Sequence, residues 1–360
     1  MSYNISLTKT KSSKLHEVDF QNIPFGRHFS DHMFMVDFDG SQWVKPRIEP
    51  FAPFSIHPGC MGLHYGQSIF EGMKATKMQD GTPVLFRPEM HVQRLNASAR
   101  RMCMPELPEA LFLQALHALI GLDQAWIPPQ EGSALYIRPL MFATDEFIGV
   151  RPSSKFRLII MTGPVGPYYS KPVRLLAETH YVRAVSGGTG EAKAAGNYAG
   201  ALLPTQLAQE KGYDQVMWLE SPEFKKIQEV GTMNIFFVIN GVTVTPATDG
   251  AILKGITRNS IIKLLEDAGY PVEVRTVTMD ELSTAYRSGL LQEVFGAGTA
   301  AVVSHVSAIH YEHELMELPA IENRKIANWV KDRIDGIRSG RYTDTHGWVV
   351  PIQVPEVETA

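Results

Sequence analysis

GGTGEAKAAGNYAGAL, running from Gly187 to Leu202, sets five glycines around a single lysine, Lys193, just ahead of a segment with helical character. Backbone without side chains lets a ligand approach closely while the lysine is held on a constrained turn. The spacing Gly-x4-Gly-Lys-Ser/Thr is not met, so this is not the phosphate loop of nucleotide hydrolases. Read alone, the stretch suits a structural or merely solvated loop better than a cofactor site. What surrounds it decides between the two.

A chain of 360 residues exceeds what one hydrophobic core supports, so two domains are expected. Lysine and arginine number 34 against 38 acidic residues, and a net charge of −4 leaves no electrostatic footprint for nucleic acid or an anionic membrane. The opening MSYNISLTKTKSSKLHEVDF contains no apolar run of signal-peptide type. No later stretch approaches the roughly 18 apolar residues of a membrane span, which predicts a cytoplasmic protein. The same opening is polar and rich in Ser and Lys, and reads as a loosely held arm. Cys60 and Cys103 are too far apart for a zinc site or a redox pair, and no disulfide is expected in that compartment.

Residues 34–38 alternate as a strand does, and an irregular, Pro-rich stretch is predicted from Trp43 to His57. Helices are predicted over 91–102 and 108–122, and strands over 134–139 and 156–162. GPVGPYYSKP, from Gly163 to Pro172, has two glycines and three prolines between apolar strands. A linker over 166–176 is therefore predicted, dividing a smaller N-terminal α/β domain, 1–165, from a larger C-terminal domain, 177–360. Beyond it, 198–211 reads as a helix kinked at Pro204 and stopped at Gly212, and 215–219 as a buried strand. Asn240-Gly241 between 235–239 and 242–245 is a strong hairpin signal. A helix is expected over 256–267, another opened by the capping box Thr278-Met-Asp-Glu281, and a strand 293–295 leading into a tight loop Gly296 to Thr299.

The lysine segment is followed by EVGTMNIFFV (229–238), LKGITR (253–258) and FGAGTA (295–300), and preceded by LHYGQSIFEGMKA (63–75), HVQRL (91–95) and SALYIRP (133–139). In order and spacing this set resembles the branched-chain aminotransferases among the fold-type IV enzymes of pyridoxal 5′-phosphate (PLP). The resemblance covers nearly the whole chain. It implies a two-domain α/β (α+β) fold like that of D-amino acid aminotransferase, with a pseudo-barrel as the larger domain. It also implies reversible transfer of the amino group of leucine, isoleucine or valine to 2-oxoglutarate.

Carried over residue by residue, the resemblance makes Lys193 the lysine that holds PLP covalently and moves the α-proton. Glu229 would pair with the pyridine nitrogen and Tyr198 with the ring's 3′ oxygen. The phosphate would be met by Arg94, by the backbone N–H groups of Ile256 and Thr257 at a helix start, and by Thr299. Without the flanking motifs, Glu229 would pass for an exposed carboxylate, Tyr198 for a packing residue, Arg94 for a surface charge and Thr299 for a turn residue.

Substrate contacts implied are Phe25, Tyr65, Phe70, Tyr136 and Arg138, with Tyr168, Thr232 and Ala300; Arg138 would also take a second, γ-carboxylate. Tyr65, Ile148 and Val150 would complete the pocket of a partner subunit in a homodimer. Ile148-Gly149-Val150 is an apolar tip in an otherwise polar loop, Thr144 to Arg151, which suits insertion into a partner. The Cys-x-x-Cys switch of some animal members is absent, its positions being Ala301 and Ser304. His310 and His313 lack a convincing third ligand, and no metal is expected. A D-amino acid transaminase or an aminodeoxychorismate lyase would share the lysine and the glutamate, but relatives of that kind are usually shorter and lack the LHYGQSIFEG and SALYIRP patterns. A non-catalytic binding protein of the same fold is opposed by the joint presence of Lys193, Tyr198, Glu229 and Arg94. A nicotinamide site at Gly296-Ala-Gly298 is opposed by Val302-Val303, which continues as strand instead of opening a helix.

Overall fold

The computed structural model describes residues 3–166, 171–299 and 301–353. The chain divides into two compact units, one of Met1–Tyr168, Ala192–Gly196 and Gly336–Ala360, the other of Tyr169–Glu191 and Asn197–Asp335. The first unit thus takes back two later pieces of chain, one of which carries Lys193, a feature that no linear division at 166–176 can express.

The first unit is built on a nine-stranded sheet. Its order runs Ser6–Leu7, Trp43–Pro50, His32–Phe38, Phe156–Val165, Ala134–Ala143, Met73–Lys77, Pro83–Phe86, Val349–Pro351, with Ser68–Phe70 also pairing with Ala134–Ala143. All the pairings are antiparallel except the first. The helices Pro88–Arg101 and Glu109–Leu122 bury one face each in its core, Val92, Leu95 and Ala99 from the first, Leu111, Phe112, Ala115 and Leu119 from the second. These positions recur at helical spacing, which is why 91–102 and 108–122 were readable.

Two expectations fail in this unit. The opening arm is not loose: Ile5 and Leu7 are buried, Ser6–Leu7 pairs with Arg47 and Ile48, and Thr10 N–H donates to His32 Nε2 at 2.9 Å. The apolar residues alternate with polar ones there, so average composition conceals a half-buried strand. Nor is the first half of the stretch from Trp43 to His57 irregular, since Trp43–Pro50 is a full strand; residues 51–57 are irregular as expected. The strand's internal proline, Pro46, is accommodated because the register shifts between Met35 and Asp37, opposite a bulge where Lys45 takes φ 55°.

The second unit also holds a nine-stranded sheet, in the order Ile227–Val230, Gln215–Leu219, Val173–Ala177, Val302–Tyr311, Leu291–Gly298, Asn234–Ile239, Val242–Pro246, Val272–Arg275, with Glu314–Glu317 beside Val302–Tyr311. It is mixed: Val173–Ala177 runs parallel to both neighbours, and Val242–Pro246 parallel to Val272–Arg275. The hairpin turn takes positive φ at Asn240 and Gly241, 49° and 78°, as the Asn-Gly pair dictates. Thr278 Oγ1 accepts from Glu281 N–H and opens the helix Met279–Arg287.

The 198–211 segment is two helices, Ala195–Ala199 and Leu202–Glu210, broken at Gly200-Ala201 and not at Pro204. The proline lies in the first turn of the second helix, where its missing N–H costs nothing. Gly296 to Thr299 is not a loop, because the strand Leu291–Gly298 continues through both glycines. Glycine leaves room there for Met233: a Cβ on Gly296 would come within 2.8 Å of Met233 Cε, and the methionine would have to shift. Among the described residues no helix is long and apolar enough to cross a membrane.

Candidate active site

In the first unit the site grows from the alternation of one strand. Tyr136 and Arg138, two apart on Ala134–Ala143, face the same side of the sheet. Arg138 Nη2 donates to Tyr136 Oη at 2.8 Å, and its guanidinium lies 4.6 Å over the Phe70 ring and 5.3 Å over that of Tyr136. Phe25 meets Tyr136 edge-on, with ring centroids 5.3 Å apart. The hydroxyl of Tyr136 fits only because residue 72 is glycine, since a Cβ there would collide with it.

Lys193 reaches this group by backbone pairing. Ala194 bridges Ile69 antiparallel, Phe70 N–H donates to Lys193 O at 3.0 Å, and Lys193 N–H donates to Ser98 Oγ at 2.9 Å. Its ammonium then stands 4.8 Å from the centre of the Phe70 ring. One aromatic face therefore serves two cations, Lys193 and Arg138.

Arg94 is not a surface charge. Its Nε and Nη2 donate to Glu71 Oε1 and Oε2 at 2.7 and 2.9 Å, beneath a side-chain exposure of 11%. Tyr65 is exposed, as are Ile148 at 72% and Val150 at 92%.

In the second unit the centre is Glu229, buried and ion-paired with Arg183 at 2.7 Å. Its Oε1 also accepts from Leu253 N–H at 2.7 Å. Arg183 Nη2 further donates to the carbonyls of Gly190 and Ala251. That close approach needs Gly190, where a Cβ would collide with Ala251 O. The arginine thereby clips the glycine loop to the segment that leads into the helix Ile256–Asp267.

That helix starts at Gly255 with no side-chain cap, and Gly255 has no room for one because Asn234 stands against it. The N–H groups of Ile256 and Thr257 at such a start form a ready anion cradle. Tyr198 lies half-buried in Ala195–Ala199, Thr299 half-buried just past Leu291–Gly298, and Thr232 exposed in the turn before Asn234–Ile239. Tyr168 and Ala300 lie outside the described residues. The first unit holds an amine and an arginine, the second a buried carboxylate and an uncapped helix start, and by their chemistry these groups fit the aldehyde, phosphate and pyridine nitrogen of PLP.

Sequence reasoning gave no role to Glu71, His91, Ser98, Gly72 or Arg183. Glu71 and His91 lay inside the quoted motifs, where a charged residue framed by apolar ones was the available signal. Arg183 had none, because its partner is 46 residues away. His310, set aside as a metal ligand, shares a 2.6 Å hydrogen bond through Nδ1 with Tyr213 Oη.

Known proteins carry the same plan. The profile of the family Amino-transferase class IV matches residues 68–309. Branched-chain-amino-acid aminotransferase 2 of Bacillus subtilis (strain 168) is 46% identical over 352 residues, covering 97% of this chain and 96% of its own. The branched-chain amino acid aminotransferase structure from Escherichia coli superposes with a TM-score of 0.72 at 26% identity, over 89% of this chain and 99% of that one. The branched-chain amino acid aminotransferase of T.th., complexed with N-(5′-phosphopyridoxyl)-L-glutamate, gives a TM-score of 0.72 at 26% identity, over 88% of this chain and 98% of its own. The chain belongs to the class IV aminotransferases and, within them, to the branched-chain-amino-acid aminotransferases.

Proposed function

We propose that this chain transfers the amino group of leucine, isoleucine or valine to 2-oxoglutarate, and that it does so as a homodimer. The observation that carries the reading is the grouping of Lys193 with Phe70, Tyr136 and Arg138, an amine beside an aromatic floor and one half-buried arginine. Pyridoxal 5′-phosphate is the cofactor. When bound, it supplies an electron sink that makes the substrate's Cα–H bond acidic.

The chain's own residues do the rest. Lys193 is the amine that carries the cofactor and, once displaced by substrate, holds and moves the proton at Cα. Arg94, the N–H groups of Ile256 and Thr257, and Thr299 bind the phosphate; Tyr198 orients the ring. Glu229, fixed by Arg183 and Leu253 N–H, would pair with the ring nitrogen and keep it protonated. Phe25, Phe70 and Tyr136 favour aliphatic side chains by apolar burial, worth about 25 cal/mol per Å² removed from water. Arg138 receives a second carboxylate, which lets one site take both leucine and glutamate; Thr232, Tyr168 and Ala300 complete the substrate contacts.

The dimer reading rests on exposure. Phe147, Ile148 and Val150 form an apolar tip on the loop 144–151, with Ile148 72% and Val150 92% exposed, and Tyr65 is 42% exposed. Apolar groups so open to water suit insertion beside a second copy's site.

The half-reactions test the substrate reading. Leucine, isoleucine and valine should each bleach the absorbance band of the PLP form, and 2-oxoglutarate should restore it. D-Leucine should do neither. A band that ignores all three L-amino acids sinks the proposal.

A further inference from the structure

Glu71 is a carboxylate with no exposure at all, in the short link between the strands Ser68–Phe70 and Met73–Lys77. Its N–H donates to Pro139 O at 2.8 Å, so its backbone is fixed. Four donors converge on its two oxygens: Arg94 Nε and Nη2 at 2.7 and 2.9 Å, His91 Nδ1 at 2.8 Å and Gly72 N–H at 3.2 Å. His91 and Arg94 are three apart on the helix Pro88–Arg101 and so present to the same side.

Burial works to raise the Glu71 carboxyl, but the Arg94 charge, with hydrogen bonds from Arg94 and His91, holds it far below the usual carboxylate range. Burial likewise lowers His91 against the pull of Glu71. The histidine is thus neutral and donates through Nδ1–H, because an ionised carboxylate can only accept. One anion and one cation, locked by a neutral histidine, make a group without net charge.

We propose that Glu71 is the resident counter-charge of Arg94, so that the chain folds around a compensated and oriented arginine whether or not a phosphate is present. The inference rests on Arg94 being the arginine that meets the phosphate. The Nε–Nη2 edge is committed to Glu71, which fixes the guanidinium plane during folding, before any ligand arrives. Without Glu71 the arginine would lose the carboxylate that holds its Nε–Nη2 edge, and a bound phosphate would make up for part of that lost charge.

The test compares melting temperatures of full-length protein with and without saturating PLP. In the cofactor-free form Glu71→Gln should lose about 5 °C or more, as expected for one broken buried pair. With PLP bound the loss should be less than half as large. Glu71→Gln/Arg94→Gln should recover part of the cofactor-free loss, since no buried cation remains; this comparison holds even where the single variant folds poorly. Equal losses with and without PLP, or a double variant no more stable than Glu71→Gln, would overturn the proposal. Arg94→Gln alone separates the underlying reading: a PLP affinity within twofold of the parent means that Arg94 does not meet the phosphate.

Discussion

Lys193→Ala is expected to lower transamination by at least about a thousandfold, since proton transfer by a positioned group is alone worth about 10²–10⁴ and the covalent attachment goes with it. The fold should survive. What holds residue 193 in place is backbone, namely the bonds from Phe70 N–H to Lys193 O and from Lys193 N–H to Ser98 Oγ, and the substitution spares both. PLP should still bind through its phosphate contacts, while borohydride should fix it covalently to Lys193 in the parent and to nothing in the variant. Peptide mapping that finds the label on another lysine would end the assignment. The same variant tests the dimer. Co-expressed with Tyr65→Ala, it forms heterodimers in which one shared site carries both defects and the other neither. Activity should return towards about half that of the parent per heterodimer, as for two independent shared sites. Demonstrated heterodimers without activity would rule out shared sites.

Glu229→Gln should cost turnover about 100-fold or more, the scale seen when one preorganised electrostatic group is removed, with the loss in α-proton removal. It should also cost stability. Arg183 and Glu229 are exposed by only 9% and 5% at their side chains, and an amide leaves the guanidinium uncompensated, at about 3–5 kcal/mol. The two effects separate in Arg183→Met/Glu229→Gln, which should regain stability without regaining rate. Single-turnover measurement of α-proton loss, with a melting curve on each variant, checks both. An unchanged proton-removal rate in Glu229→Gln would refute its role.

What the sequence made legible follows the range of the forces involved. The helix Ile256–Asp267, the strand Gln215–Leu219, the Asn-Gly turn and the Thr278 cap are set by neighbours a few residues apart, and their bounds were readable to within a residue or so. The strand Trp43–Pro50 escaped because Pro46 is tolerated only at a bulge, which shows up as a register shift against a partner strand and not in the local sequence. The buried state of Ile5 and Leu7 escaped because a parallel partner forty residues on supplies it. In the site, motif order pointed to Lys193, Arg94 and Glu229, whereas the charges that hold the last two did not show. Glu71 lies 23 residues from Arg94 and Arg183 lies 46 from Glu229, and an ion pair across such distances leaves no local pattern.

The discontinuity of the first unit bears on any attempt to recombine this chain with a relative. A crossover anywhere in 166–176 leaves Ala192–Gly196 and the strand Val349–Pro351 in the second parent's portion, although both are knitted into the first unit. Such a chimera would meet itself along two seams, Ile69 against Ala194 and Phe86 against Val349, where residues from different parents must pair. The first seam runs beside Lys193. Parents intended for grafting should therefore be matched at residues 68–70 with 192–196 and at 83–86 with 349–351; otherwise the hybrid inherits a misaligned lysine even when every site residue is retained.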